Sequence, residues 1–184
     1  MKKTLLPILF LFMVNQSYSQ RIAYIVTTQN DTISNLTLKN SFVFKNSLLM
    51  NLQEKLIVEN QEGVQKTYLP SDLKSFMLYY DGEKIQYESI DNKVFGILMY
   101  TDKIKLVKIN TRNYFIYAFT RPNNGKTSYM EGKGLSRRIT LNVITREMGD
   151  CPSTIKKVED DILKVHYEEG VIELVKDYEA NCLK

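Results

Sequence analysis

Between Arg21 and about Gly132 the chain is a succession of short β-branched and aromatic runs, each closed by turn residues, with no helix read between them. Such runs have a side-chain repeat of two, and consecutive runs joined by tight turns pair as antiparallel hairpins. "RIAYIVTT" is closed by "QND". "TISNLTL" then alternates, with Ile33, Asn35 and Thr37 on one face and Ser34, Leu36 and Leu38 on the other. "SFVF", "KLIVEN" and "VQKTYL" follow. "FMLYYDGEKIQYESI" carries Asp81-Gly82 between two strand-like runs, a pair that tolerates the positive φ angles of a two-residue hairpin turn. "VFGILMYTDKIKLVKINTRNYFIYAF" supplies three more strands, with turns near Thr101–Lys103 and Thr111–Asn113, and "TSYMEGK" supplies the last after the turn in "RPNNGK". The expected fold is α+β: an antiparallel β meander, roll or barrel of about 8–10 strands followed by a small C-terminal helical segment.

The pattern changes between Gly132 and Leu135, which divides the chain into a β domain over 20–134 and a helical tail over 135–184 packed on it. "LSRRITLNVITREMGD" alternates like a strand at Ile139, Leu141 and Val143, yet Leu135, Ile139, Val143 and Arg146 share a helical face. Ser136 as a start and Gly149 as a stop favour the helix. "CPSTIKKV" suits a short helix with Pro152 in its first turn. "HYEEGVIELVKDYEAN" reads as a helix with Glu168 and Glu169 at its positive end and Val171, Leu174, Val175 and Tyr178 on one buried face.

The first residues set the expected compartment. Lys2 and Lys3 precede an apolar run from Leu5 to Val14, too short for the ~20 residues a membrane span needs. Ser17 and Ser19 follow at the spacing favoured by signal peptidase, so residues 1–19 read as a signal peptide cleaved before Gln20, with an uncleaved anchor as the alternative. The expected location is exported: periplasmic, outer-membrane associated or secreted. The processed chain has no stretch expected to span a membrane as a helix, which leaves peripheral association open. Loss of Lys2 and Lys3 lowers the formal charge from +4 to +2, too near neutrality to imply nucleic acid or an anionic membrane.

Export would place the chain's two cysteines, Cys151 and Cys182, where thiols are joined. A metal site needs about four ligands, and only His166 is available as a further strong nitrogen ligand. A redox pair is normally closer in sequence, as in Cys-x-x-Cys. The pair therefore reads as a disulfide fastening the last helix to the turn before the second one, with reduced, buried thiols as the alternative.

"DTISNL" (Asp31 to Leu36), "YLPSDLKSF" (Tyr68 to Phe76), "YES" (Tyr87 to Ser89) and "DCPSTIKKV...GVIELVKDYEANC" resemble a family of secreted Bacteroidota proteins of unknown function. The resemblance implies export and a β-rich N-terminal part followed by a helical tail, and it brings no activity. Members often carry asparagine after the tyrosine where this chain has Tyr178-Glu179. "DTI" is also similar to a short periplasmic O-glycosylation signal, which makes Thr32 a candidate acceptor. The competing reading is a hairpin turn in which Asp31 bonds the backbone two residues on.

No catalytic residue, cofactor or metal ligand is assigned. His166 has no G-x-S-x-G serine to partner it and reads as a surface or capping residue. Asp160 with Asp161, and Glu168 with Glu169, read as solvated faces. "NNGK" and "GKG" lack the phosphate-cradling spacing. Lys103, Lys105 and Lys108 with Tyr100 and Tyr114 form a candidate basic, aromatic strip, set against lysines that guard a strand from aggregation. Tyr79, Tyr80, Tyr87, Tyr114 and Tyr117 on the expected strands read as core and rim packing. The expected function is therefore non-enzymatic binding or structural service in the cell envelope, its partner an unknown protein or envelope component and not nucleic acid. The alternatives are an envelope hydrolase with a carboxylate site, or a small-ligand carrier with an apolar void lined by Phe95, Leu98, Ile116 and Phe119.

Overall fold

The computed structural model describes residues 21–40, 45–122, 125–132 and 138–183. The proposed leader, the "SFVF" run, Leu135 and Ser136 lie outside them. Ten strands form one antiparallel sheet: β1 (Arg21–Thr27), β2 (Thr32–Leu38), β3 (Leu56–Glu59), β4 (Gln65–Tyr68), β5 (Leu73–Tyr80), β6 (Glu83–Ile90), β7 (Val94–Thr101), β8 (Lys105–Asn110), β9 (Phe115–Thr120) and β10 (Thr127–Gly132). Their spatial order is β10-β9-β8-β7-β6-β5-β1-β2-β3-β4, and the sheet is not closed. Helix α1 (Lys45–Asn51) lies between β2 and β3, and α2 (Leu141–Met148), α3 (Pro152–Glu159) and α4 (Glu168–Cys182) follow the sheet. The fold is α+β, as the alternating runs predict.

Local turn chemistry accounts for the hairpins. Asp81 and Gly82 have φ of 52° and 80°, and Asp91 and Asn92 in the β6–β7 turn have φ of 50° and 57°. Two successive positive φ angles give a turn whose twist matches that of the flanking strands. Between β1 and β2 the side-chain bond is made by Thr27, whose Oγ1 accepts from Asp31 N at 3.1 Å. The turn is thus where Asp31 predicts it, with a neighbouring hydroxyl supplying the bond.

Two features depart from the sequence reading. Helix α1 interrupts a region read as helix-free. It has seven residues, and only Leu48 within it is buried, with Leu52 just beyond. Two turns are too few to display a helical repeat. The next helix begins at Leu141, later than the Ser136 start, because Arg138 still forms a bridge and Thr140 is extended at φ −85°, ψ 156°. Its buried side chains are Ile144 and Met148, one helical turn apart.

The sheet curls strongly at both ends. In a flat sheet β4 and β5 would stand four strand spacings apart, roughly 19 Å. Yet they are joined through Leu69–Asp72, itself folded into a turn in which Asp72 N donates to Leu69 O at 2.9 Å. Strands β1 to β5 therefore roll up around Ile25, Leu56, Leu73, Phe76, Tyr87 and Phe95, with Leu48 and Leu52 packed into the same cluster. Phe76 stacks on Tyr87 with centroids 4.6 Å apart. Four spacings also separate β6 from β10, but Asp91 beyond the end of β6 accepts hydrogen bonds from Thr127 and Tyr129 on β10.

This second curl encloses a small core of Ile90, Val107, Ile109 and Ala118 on one face of β8 and β9. The opposite face carries Leu106, Tyr117 and Phe119, which pack with Ile144, Met148, Val171, Leu174, Val175 and Tyr178 of the helices. Gly96 permits the tight curvature. A Cβ there would lie 2.8 Å from Val107 Cγ2, closer than side-chain carbons approach. Gly96→Ala is expected to cost about 1–3 kcal/mol in unfolding free energy. Measured on a Val107→Ala background, the same substitution should cost less.

Candidate binding cleft

A cleft of about 380 Å³ opens where the second curl brings three separate segments together. One wall is the end of β6 at Ile90 and Asp91. The second is the β7–β8 turn with Asp102, Lys103 and the adjoining Lys105, and the third is the β9–β10 hairpin with Thr120, Arg121 and Thr127.

Of the charged residues lining it, Asp91, Lys105 and Arg121 are already bonded to neighbouring groups. Glu88, a buried carboxylate on β6, accepts from Lys105 Nζ at 2.6 Å and from Gln86 Nε2 at 2.7 Å. Asp91 accepts from Thr127 Oγ1 at 3.0 Å and from the Tyr129 hydroxyl. Burial and the Asp91 carboxylate both hold that phenol well above its ordinary pKa. Arg121, a largely buried cation, donates from Nε to the Tyr178 hydroxyl at 2.9 Å, from Nη1 to Ser128 Oγ at 2.7 Å, and from Nη2 to the Glu147 carbonyl near the end of α2. Its guanidinium also lies over the Phe119 and Tyr178 rings. Asp102 and Lys103 make no side-chain hydrogen bond or ion pair among the described residues, which leaves one anion and one cation on the rim.

The cleft is held from behind by α4. Glu179, buried to 5 % exposure, accepts from Lys103 N at 3.3 Å, Ile104 N at 3.1 Å and the Tyr100 hydroxyl at 3.2 Å. Three donors satisfy the hydrogen-bonding capacity of this buried side chain. Beside it, Tyr178 takes the Arg121 bond and donates to Asp150 at 2.7 Å. Burial and Asp150 raise the Tyr178 pKa against the opposing effect of Arg121.

Cys151 and Cys182 are joined by a disulfide with Cα atoms 5.7 Å apart, linking the start of α3 to the last residue of α4. The same two helices meet at Asp177, which accepts from Thr154 Oγ1 at 2.6 Å and from Lys157. Burial opposes ionisation of Asp177, but Lys157 and Thr154 outweigh it and hold the carboxyl below its ordinary range. Such a group stabilises the fold above its unfolded pKa of about 3.9, and the contribution disappears as pH falls through the depressed native value. In urea titrations, the stability gap between wild type and Asp177→Asn should be full at pH 7 and close below about pH 4. A gap independent of pH would contradict the ion pair.

The other residues singled out in the sequence are dispersed. Lys105 and Lys108 are three apart on one strand and face opposite ways. Lys105 pairs with Glu88 at the cleft, while Lys108 pairs with Glu168 of α4 and lies 4.1 Å from the Phe115 ring centre. Tyr100 turns to Glu179, so the basic, aromatic strip is not assembled. Tyr87 and Tyr117 are buried, whereas Tyr79, Tyr80 and Tyr114 are half-buried. Burial, with Glu168 and Glu169 adding to it, pushes the Tyr117 hydroxyl up to about 12. His166, Asp160 and Asp161 are exposed before α4, and Thr32 is exposed at the first position of β2. Phe95, Phe119 and the pair Leu98 and Ile116 belong to three different clusters and do not line a common void. Among the described residues, no group of three or more His, Cys, Asp or Glu is placed to hold a metal, and no helix is long and apolar enough to cross a membrane.

Sequence reasoning did not single out Glu88, Asp91, Asp102 or Arg121, and noted Glu179 only as a departure from a family pattern. Arg121 follows a strand and precedes a proline, and nothing local marks it. Its partners are assembled from β10, α2 and α4. Comparison of the chain with protein-family models, with curated proteins and with solved structures finds no match.

Proposed function

We propose that the protein is exported, belongs with the uncharacterised secreted proteins it resembles, and works in the cell envelope by binding an envelope component or another protein through the cleft between the β7–β8 turn and the β9–β10 hairpin. The observation that carries this reading is the Cys151–Cys182 disulfide, a bond that persists in oxidising compartments and is rare in the reducing cytosol. The short apolar run ahead of Ser17 and Ser19 supports the same reading.

The cleft favours recognition over chemistry. A general base or nucleophile needs a group free to take or give a proton at the reacting atom. Here Glu88 and Lys105 are paired with each other, and Asp91 and Arg121 are held by neighbouring hydroxyl groups, which suits a rigid polar surface. Asp102 and Lys103 remain to meet a polar partner on the rim. Fractionation of the native host, followed by mass spectrometry of the protein's N-terminus, tests the reading. A processed chain beginning at Gln20 in the envelope or medium is expected, and an intact chain beginning at Met1 in the cytosol would overturn it.

A further inference from the structure

Two of the cleft's three walls depend on consecutive residues of one helix. Glu179 grips the β7–β8 turn through Lys103 N, Ile104 N and the Tyr100 hydroxyl. Tyr178 grips the β9–β10 hairpin through Arg121, which also donates to Ser128 on the far side of that hairpin. One turn further on, α4 ends at Cys182, covalently joined to Cys151. The disulfide thus fixes the helix end whose preceding turn shapes the cleft.

We propose that the Cys151–Cys182 bond is a redox clasp on the cleft, with Tyr178 and Glu179 as the positioning residues through which it acts. The inference rests on the cleft being the binding site. The two sulfurs are unequal: Cys151 is fully buried, whereas Cys182 is partly exposed. A thiolate of a protein dithiol would therefore attack Cys182 Sγ. A mixed disulfide forms at Cys182, and the S–S electron pair leaves on Cys151 Sγ as a thiolate, which takes a proton from solvent. The second thiolate of the dithiol then displaces Cys182, leaving two protein thiols and one oxidised reductant.

In the disulfide, Cys151 Sγ has no hydrogen, and the Thr154 hydroxyl 3.0 Å away is directed to Asp177. After reduction the Cys151 thiol can donate to Thr154 Oγ1, so the reduced sulfur has a ready partner inside the fold. Cys182 Sγ has no such hydrogen-bond partner among the described residues, and only apolar packing of Cys182 and Leu183 on the core remains there. The end of α4 is then released, and Glu179 and Tyr178 loosen from the turn and the hairpin.

Amide hydrogen exchange on the full chain tests this without any ligand, so its outcome stands apart from whether the cleft binds anything. On reduction with dithiothreitol, the amides of Lys103 and Ile104 are expected to exchange at least about tenfold faster through a local opening insensitive to low urea, whereas those of β1 and β5 exchange only through the urea-sensitive global unfolding that reduction also eases. Glu179→Ala with the disulfide intact should accelerate the same two amides. Unchanged exchange at Lys103 and Ile104 after complete reduction would overturn the proposal. So would acceleration at Lys103 and Ile104 only through the same urea-sensitive global unfolding as β1 and β5, which would make the bond a brace for the whole fold and no clasp on the cleft.

Discussion

Phe119→Ala is expected to lower the free energy of unfolding by about 3–5 kcal/mol, with a melting temperature roughly 10 °C lower for a chain of this size. Phe119 is fully buried on the helix-facing side of β9, opposite Leu106. Its ring meets Tyr178 edge-on at 6.2 Å between centroids, and the Arg121 guanidinium lies 4.8 Å from its centre. Truncation removes apolar area from the cluster joining sheet to helices and leaves a cavity that β9 and α4 cannot both close. Leu69→Ala, at a residue 49 % exposed, is the control and should change stability by less than about 0.5 kcal/mol. A loss at Phe119 no larger than at Leu69 would mean that α4 does not pack where the structure places it.

Removal of the disulfide by the double substitution Cys151→Ala and Cys182→Ala is expected to cost about 3–4 kcal/mol relative to the oxidised protein. The figure follows from the sequence separation of 31 residues, because the bond chiefly restricts the unfolded chain. Equilibrium urea unfolding of oxidised wild type and the double variant measures it directly. Equal midpoints would show that the tail is held by α3–α4 packing and the Asp177 pair alone.

The strands were legible because their signals are local. Alternation in "TISNLTL" places Leu36 and Leu38 inward, and both are buried. Asp81-Gly82 announces a turn whose φ angles are positive. The buried stripe of α4, with Val171, Leu174, Val175 and Tyr178, is likewise a matter of helical spacing within a few turns.

What could not be read is the product of long-range curvature. Nothing local predicts that β5 returns beside β1, or that Asp91 reaches Tyr129 across three intervening strands. Glu179 meets Ile104 across 75 residues of chain, and Arg121 meets Tyr178 across 57. Such polar groups carry no periodic signature, so their convergence appears only in three dimensions. The lysine strip was different: the odd spacing of Lys105 and Lys108 already put them on opposite faces of a strand.

The covalent tie of α4 underlies both the proposed compartment and the proposed clasp on the cleft, and it can be measured in the native host. Cells are lysed into iodoacetamide to block free thiols, and the unreduced protein is digested and analysed by mass spectrometry. The account predicts a linked pair of peptides containing Cys151 and Cys182, with neither cysteine carbamidomethylated. Recovery of both cysteines fully alkylated would contradict it.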